Sequence, residues 1–537
     1  MENIFSARHS YPINHKRFAA WLVLLVSAGY FGTLALVLCP EDTFWSGDAG
    51  IQLLQVQGFL ESNGASMALP YRGKDYDPDG LHFPLVEPYA TLIGKQWYST
   101  FPPYFAILTV PFYWAFGLKG LYVIPLISGL ITVWWSQRMA CDLGASAVAG
   151  AGIAALVAFA TPLAFYSATF WGHAPATAGV MVGLGWLIRI RSKGTRLTDV
   201  SAGICLAAAC VIRHECTIFI ALLPIALFSE CYQRPETLHK LMRFAMGLAI
   251  PIGFLAIFNT LCFGHFLGLL EQHFQPGSGG VDRNRIAIIQ QMLIRDSVNN
   301  NEGGLIPDFS VFLVAAMIGL LGLLRAFDTS SHDCWGLGQL TLITWGFVGI
   351  ACMVAPNSGG AQLGPRYLLP AIPPVLIGSA VMGLRSKKWR RALFCSLLII
   401  SGLHSMVTGI RGSDRLRYTK QQIELPTLRF VQDQEVDVIW VGHRFFAQQA
   451  AAVWDTTTVY RETKTASDRQ LLGRLYSAGM NRILYVSERP VTHLSEHPLR
   501  GLYHQWRPAE LSGKVPVLAS LRHYHFEIWE ANRELGK

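Results

Sequence analysis

Charge is scarce in this chain. Only 15% of its 537 residues are Asp, Glu, Lys or Arg, where a soluble domain carries about a quarter. An ordinary soluble enzyme is excluded on that ground. The ten cysteines include no CxxC pair, and most sit inside apolar runs, as small buried residues do. There is no P-loop, no Gly-rich dinucleotide fingerprint and no GxSxG elbow. Nucleotide hydrolysis and serine-hydrolase chemistry therefore lack their local signatures. An HExxH zinc motif, an internal repeat and a low-complexity linker are also missing. What is abundant is apolar: 51% of the residues, with a mean hydropathy of +0.32. Disorder is excluded by that content.

The net charge of +9 raises the question of nucleic acid, and the placement of the charges answers it. Residues 1–410 hold 26 basic and 21 acidic side chains, 47 in all, and residues 411–537 hold the other 32. A charge-poor part is thus followed by one of ordinary soluble composition. No basic face for nucleic acid emerges.

A helix needs about 20 mostly apolar residues to cross a bilayer. Eleven stretches suit this: 18–39, 120–136, 147–166, 174–190, 200–211, 217–228, 242–263, 309–324, 337–354, 367–384 and 392–410. With the N-terminus inside, the cytoplasmic segments hold 17 Lys/Arg, among them Arg189, Arg191, Arg385 and Lys388, against nine outside. The positive-inside rule then gives N-in, C-out. Large outer loops fall at about 40–119 and 264–308. Residues 411–537 form an outer α/β domain. Its strands are expected at 437–441, 457–460 and 482–486, its helices around 444–454 and 468–478, and a hairpin over 515–532.

Ionisable residues at or in a membrane are costly and so informative. Asp48, in Trp45-Ser46-Gly47-Asp48-Ala49-Gly50, suits either a helix N-cap or a carboxylate that works on a ligand. Its glycines would permit a tight turn and close approach. Asp77, in Tyr76-Asp77-Pro78-Asp79-Gly80, suits an Asx turn or a hard cation. Glu87 lies in the same loop. Lys95, in Gly94-Lys95-Gln96-Trp97-Tyr98, could hold a phosphate or snorkel to headgroups. His173 opens a span from the outer side, and Arg213-His214-Glu215 stands between two apolar runs. Arg366 opens another span, in Gly364-Pro365-Arg366-Tyr367. With no carboxylate near it in sequence, its guanidinium suits a phosphate clamp better than the alternative, a structural ion pair. These residues are far apart in the chain, yet all map to one membrane face.

Taken together, these stretches resemble the GT-C superfamily of integral membrane glycosyltransferases, in its bacterial protein-mannosyltransferase-like branch. The likeness spans most of residues 15–410. It rests on Gly47-Asp48, Gly94-Lys95 with Tyr98 and Pro102-Pro103, His173, Arg213 with Glu215, Asn259 with Phe263-Gly264, and Gly364 to Pro370. The resemblance implies an all-α polytopic domain with the active site facing the periplasm of a bacterial inner membrane. It implies inverting sugar transfer from a polyprenyl-phosphate donor to a periplasmic glycan, lipid or protein acceptor. Asp48 matches the catalytic first-loop Asp. Many members carry Asp-Glu there; here Ala49 follows, and Glu87 or Asp77 is the candidate second carboxylate. Arg366, Lys95 and Arg213 would bind the donor phosphate, and His173, Tyr98 and Tyr367 would line the site with those carboxylates. The donor bond supplies the energy, so no cofactor is expected, although a loosely held divalent cation is compatible.

Two other readings are distinguishable. A flippase or transporter would place its ionisable groups near the bilayer midplane, with internal repeats. A non-catalytic envelope assembly protein would depend on residues 411–537 to hold its complex together.

Overall fold

A computed structural model of the chain describes residues 13–85, 89–190, 196–269, 284–294, 304–326, 335–357, 359, 363–443, 445–488 and 505–532. The helices used below are α1 (Ile13–Thr33), α2 (Gly47–Glu61), α3 (Tyr104–Phe116), α4 (Val123–Asp142), α5 (Ala147–Phe159), α6 (Leu163–Ser167), α7 (His173–Ile188), α8 (Arg196–Ile212), α9 (Thr217–Gln233) and α10 (Pro235–Phe263). They continue with α11 (Arg285–Leu293), α12 (Ser310–Ala326), α13 (Trp335–Val354), α14 (Ile372–Arg385), α15 (Lys388–Tyr418), α16 (Leu425–Gln432) and α17 (Ala466–Ser477).

Six helical stretches among the described residues are long and apolar enough to cross a membrane: Phe18–Leu38, Tyr104–Asp142, Glu236–Phe263, Gly336–Val354, Arg366–Arg385 and Lys388–Gln432. Shorter apolar helices accompany them at Ala147–Phe159, His173–Ile188, His214–Phe228 and Ser310–Leu321. Every expected span falls on a helix, with three differences. The stretch 147–166 breaks between α5 and α6, because Pro162 lacks an amide hydrogen and disfavours helical backbone at the residue before it. The apolar helix α3 lies inside the stretch 40–119 that was expected to be an outer loop. And α15 does not stop near 410: it runs through a π-helical segment, Thr419–Glu424, into α16. A single helical rod therefore enters the C-terminal domain.

The helices meet through small residues. A Cβ on Gly203 of α8 would strike the carbonyl of Phe244, and one on Gly247 of α10 the carbonyl of Val200. Such close backbone approach is how helices gain packing in a bilayer, where lipid tails remove the hydrophobic drive between them. Large apolar side chains such as Trp21, Leu25, Phe254 and Leu261 point outward, where lipid would cover them.

The C-terminal domain carries five strands: β3 (Val438–Val441), β4 (Thr458–Arg461), β5 (Arg482–Ser487), β6 (Trp506–Ala509) and β7 (His525–Ala531). A separate hairpin in the first loop holds β1 (Ala90–Ile93) and β2 (Gln96–Ser99). The five-stranded order is β4-β3-β5-β7-β6. β3 runs parallel to β4 and β5, and β7 runs antiparallel to β5 and β6. Interior β3 is apolar and buried throughout, as a strand covered on both faces should be. The expected 515–532 hairpin is instead a 3-10 turn, Val517–Arg522, followed by β7 alone. His523, with φ of 59°, makes the corner between them, and β7 pairs with β6. The helix expected around 444–454 shrinks to Phe446–Gln449 and a 3-10 turn.

Candidate active site

Asp48 lies in the first turn of α2. Ser46, in extended backbone, precedes the helix, so Asp48 is not its N-cap. A carboxylate there gains from the positive end of the helix dipole. Its Oδ2 accepts a hydrogen bond from Nη1 of Arg366 at 2.7 Å. The two side chains are 21% and 14% exposed, so the pair is dry enough to be strong yet open to a ligand. Arg366 begins a 3-10 segment, Arg366–Ala371, that leads into α14. Gly364 takes φ of 64°, a backbone conformation that favours glycine, and Pro365 then sets the direction of the chain. The absence of a carboxylate near Arg366 in sequence had favoured a phosphate partner over a structural pair. In the folded chain its partner carboxylate is Asp48, 318 residues away.

Aromatic rings frame the pair. The Arg366 guanidinium carbon lies 5.5 Å from the ring centres of Trp171 and of Tyr367. Arg213 sits 5.8 Å from the Tyr367 ring on its own account and donates to Glu215 Oε1 at 2.9 Å. The cation–π geometry holds both guanidinium groups in place without neutralising them. His173, the first residue of α7, is buried against Tyr166 and Trp171, with ring centres 5.2 and 5.5 Å away. Its Nδ1 makes no hydrogen bond among the described residues. Tyr367 also donates to Asn357 at 3.2 Å. Asp48, Arg366, Tyr367, Arg213 and His173 thus form one connected group. Trp171 and Tyr166, which join them, carried no signal beyond their place beside His173 in the sequence.

Other expected site residues lie elsewhere. Asp77 belongs to a buried staple: it accepts from Tyr71 Oη at 2.5 Å and from the His82 amide at 2.7 Å. His82 bridges it to Asp468 in the first turn of α17. Asp77 is therefore spent on docking the first loop to the C-terminal domain. Lys95 is exposed at the turn between β1 and β2. Tyr98 packs edge-on against Phe263, with ring centres 5.5 Å apart, and donates to Gln96. Glu87 lies outside the described residues. No group of three or more His, Cys, Asp or Glu among the described residues is placed to hold a metal ion.

A cavity of about 210 Å³ opens beside the Arg213 turn. Phe101, Pro102, Tyr104, Ile252, Leu255 and Phe263 give it an apolar wall, and His214 and Asn259 contribute polar atoms. Asn259 is fixed there by Tyr104 Oη at 2.6 Å and by the Phe266 carbonyl at 2.9 Å.

No protein-family model matches the chain, and no curated protein sequence does. Solved structures do resemble it. ArnT from Cupriavidus metallidurans in the apo state superposes with a TM-score of 0.61 at 10% identity, covering 96% of this chain and 98% of that one. The same protein bound to undecaprenyl phosphate gives 0.58 at 11% identity, covering 96% and 97%. The archaeal oligosaccharyltransferase AglB from Archaeoglobus fulgidus, in complex with an inhibitory peptide and a dolichol-phosphate, gives 0.56 at 12% identity, covering 88% and 69%. These neighbours are GT-C superfamily membrane glycosyltransferases. At such low identity the shared property is architecture: the chain has a GT-C-like fold, as its sequence motifs led one to expect.

Proposed function

We propose that this protein is a multi-pass membrane glycosyltransferase. It would move a sugar from a polyprenyl-phosphate donor to a glycan, lipid or protein acceptor, at the periplasmic face of a bacterial inner membrane. One observation carries the reading: within a GT-C-like fold, the helix-borne Asp48 meets Arg366 at 2.7 Å in a half-open, aromatic-walled site. ArnT with undecaprenyl phosphate and AglB with dolichol-phosphate support the lipid class of the donor.

In this reading Asp48 takes the proton from the acceptor hydroxyl as its oxygen attacks C1 of the sugar. The bond from C1 to the phosphate oxygen breaks, and the configuration at C1 inverts. The products are the glycosylated acceptor and polyprenyl phosphate. A positioned general base contributes about 10²–10⁴-fold. Arg366 stabilises charge growing on the departing phosphate, and its planar fork suits that anion. In the resting site Asp48 neutralises Arg366, so an incoming phosphate competes for the guanidinium and releases the carboxylate for its work. Arg213 adds positive field, and His173 lines the wall. The apolar cavity beside Arg213 would seat the first isoprenoid units. Lys95, on its exposed turn, has no part in this scheme.

The test is transfer of labelled sugar from a polyprenyl-phosphate donor by the purified protein in lipid nanodiscs. Asp48→Asn should lower kcat by about 10²–10⁴ while donor binding survives. Wild-type turnover in that variant would refute the base assignment. Movement of the lipid-linked sugar across vesicles without covalent transfer would favour transport instead.

A further inference from the structure

The C-terminal domain touches the chain where Asp48 is presented. Gly47 and Gly50 flank Asp48, and neither takes a positive φ. They are not there to make a turn. A Cβ on Gly47 would collide with the Gln448 side chain, and one on Gly50 with the Gln448 carbonyl and then with Ala451. The start of α2 is thus laid bare so that the short helix Phe446–Gln449 can lie directly on it. On the approach to α2, Arg522 Nη2 donates to the Trp45 carbonyl at 3.3 Å. The same guanidinium is anchored through Nε to Glu424 at 2.6 Å. Glu424 is buried on the helical rod that rises out of α15. Gln449 closes the ring, reaching Glu424 at 3.5 Å and accepting from Tyr524. Further along α2, Gln57 donates to Asp455 of the C-terminal domain at 2.7 Å.

We infer that the C-terminal domain sets the position of Asp48 relative to Arg366, with Gln448 and Arg522 as positioning residues. This rests on the reading of Asp48 as the base. Arg366 is carried by the membrane helices, whereas Gln448 lies on the start of α2 and Arg522 holds the chain just before it. The 2.7 Å contact therefore joins a residue on the membrane helices to a helix start that the C-terminal domain covers, and its geometry depends on that cover. A small displacement at a reacting group lowers rate far more than affinity.

The experiment uses the full chain in nanodiscs. Gly50→Ala pushes α2 off Gln448, and Gln448→Ala removes the side chain over Gly47. Each should lower kcat at least about tenfold and leave the donor KM within about twofold. A variant that merely folds less completely would lose donor-binding sites, and its kcat per donor-binding site would stay at the wild-type value. A donor KM that rises as much as kcat falls in both variants, or an unchanged kcat per donor-binding site in both, would overturn the proposal. A second readout needs no turnover. In Asp48→Cys protein, corrected for labelling of the native cysteines, maleimide reactivity at position 48 should rise at least about fivefold when Gly50→Ala is added. An unchanged labelling rate overturns the positioning role. If labelling responds while the wild type transfers no sugar, the enzymatic reading fails and the positioning stands.

Discussion

His82 offers the sharpest test of how the first loop is docked. Its side chain is fully buried, with Nε2 3.2 Å from Asp468 and Nδ1 3.4 Å from Asp77. Burial alone would drive the imidazole neutral, but Asp468 and Asp77 outweigh it and raise its pKa. Burial likewise pushes both carboxylates up, and hydrogen bonds from His82 with Tyr71, and from His82 with Thr463, bring them below their ordinary value. The signs follow by linkage. The His82 contribution is complete below its unfolded pKa of about 6.5 and fades as pH rises through the raised folded value. The carboxylate contributions are complete above about pH 3.9 and fade as pH falls through the lowered folded values. Docking should therefore be tightest between about pH 4 and 6.5 and loosen toward alkaline pH, by at most about 1.4 kcal/mol per pH unit for one proton. Removing one partner of a buried ion pair costs about 3–5 kcal/mol, and His82→Gln leaves two buried carboxylates facing each other. Hydrogen exchange of residues 77–82 in nanodiscs, corrected for intrinsic rates, reads this directly. His82→Gln should lose about two to three orders of magnitude of protection near pH 6, since each factor of ten is about 1.36 kcal/mol, and should lose the alkaline decline. Protection that is flat or rising between pH 6.5 and 9 in the wild type would refute the reasoning. So would a His82→Gln variant as protected as its parent.

Arg366→Lys keeps the charge but loses the planar fork that meets Asp48 and stacks between Trp171 and Tyr367. A Lys at a bidentate or stacked site is not conservative, and kcat/KM for the lipid donor should fall by about 10–100-fold, or about 1.4–2.8 kcal/mol; steady-state transfer kinetics would show it. Lys95→Ala, at an exposed hairpin turn, should leave the donor KM within about twofold, because an exposed charge contributes at most about 1 kcal/mol. A tenfold rise would return Lys95 to the phosphate.

Much of the fold was legible because bilayer physics writes it in long apolar runs. Each expected span landed on a helix, and DVIWV landed on the buried interior strand β3. The errors arose where a signal ended without a marker in composition. The α15 rod passes residue 410 unbroken through Gly412, Ser413 and Asp414, which are poor helix formers, because packing overrides propensity there: Gly412, Ser413 and Leu416 are buried. Site contacts were less legible, and the reason is separation along the chain. Arg366 looked free of carboxylates because only its sequence neighbours could be inspected. Asp77 looked like a loop carboxylate because Asp468, across its bridge, lies 391 positions on. The glycines around Asp48 are the instructive case, since they were noticed and given a different reason. Gly47 and Gly50 stand three apart and therefore share one helix face. Two bare positions on one face of a helix without positive φ mean that another backbone lies against it. Here Gly50 meets the Gln448 carbonyl and Gly47 the Gln448 side chain, so the bare face is where α2 is docked.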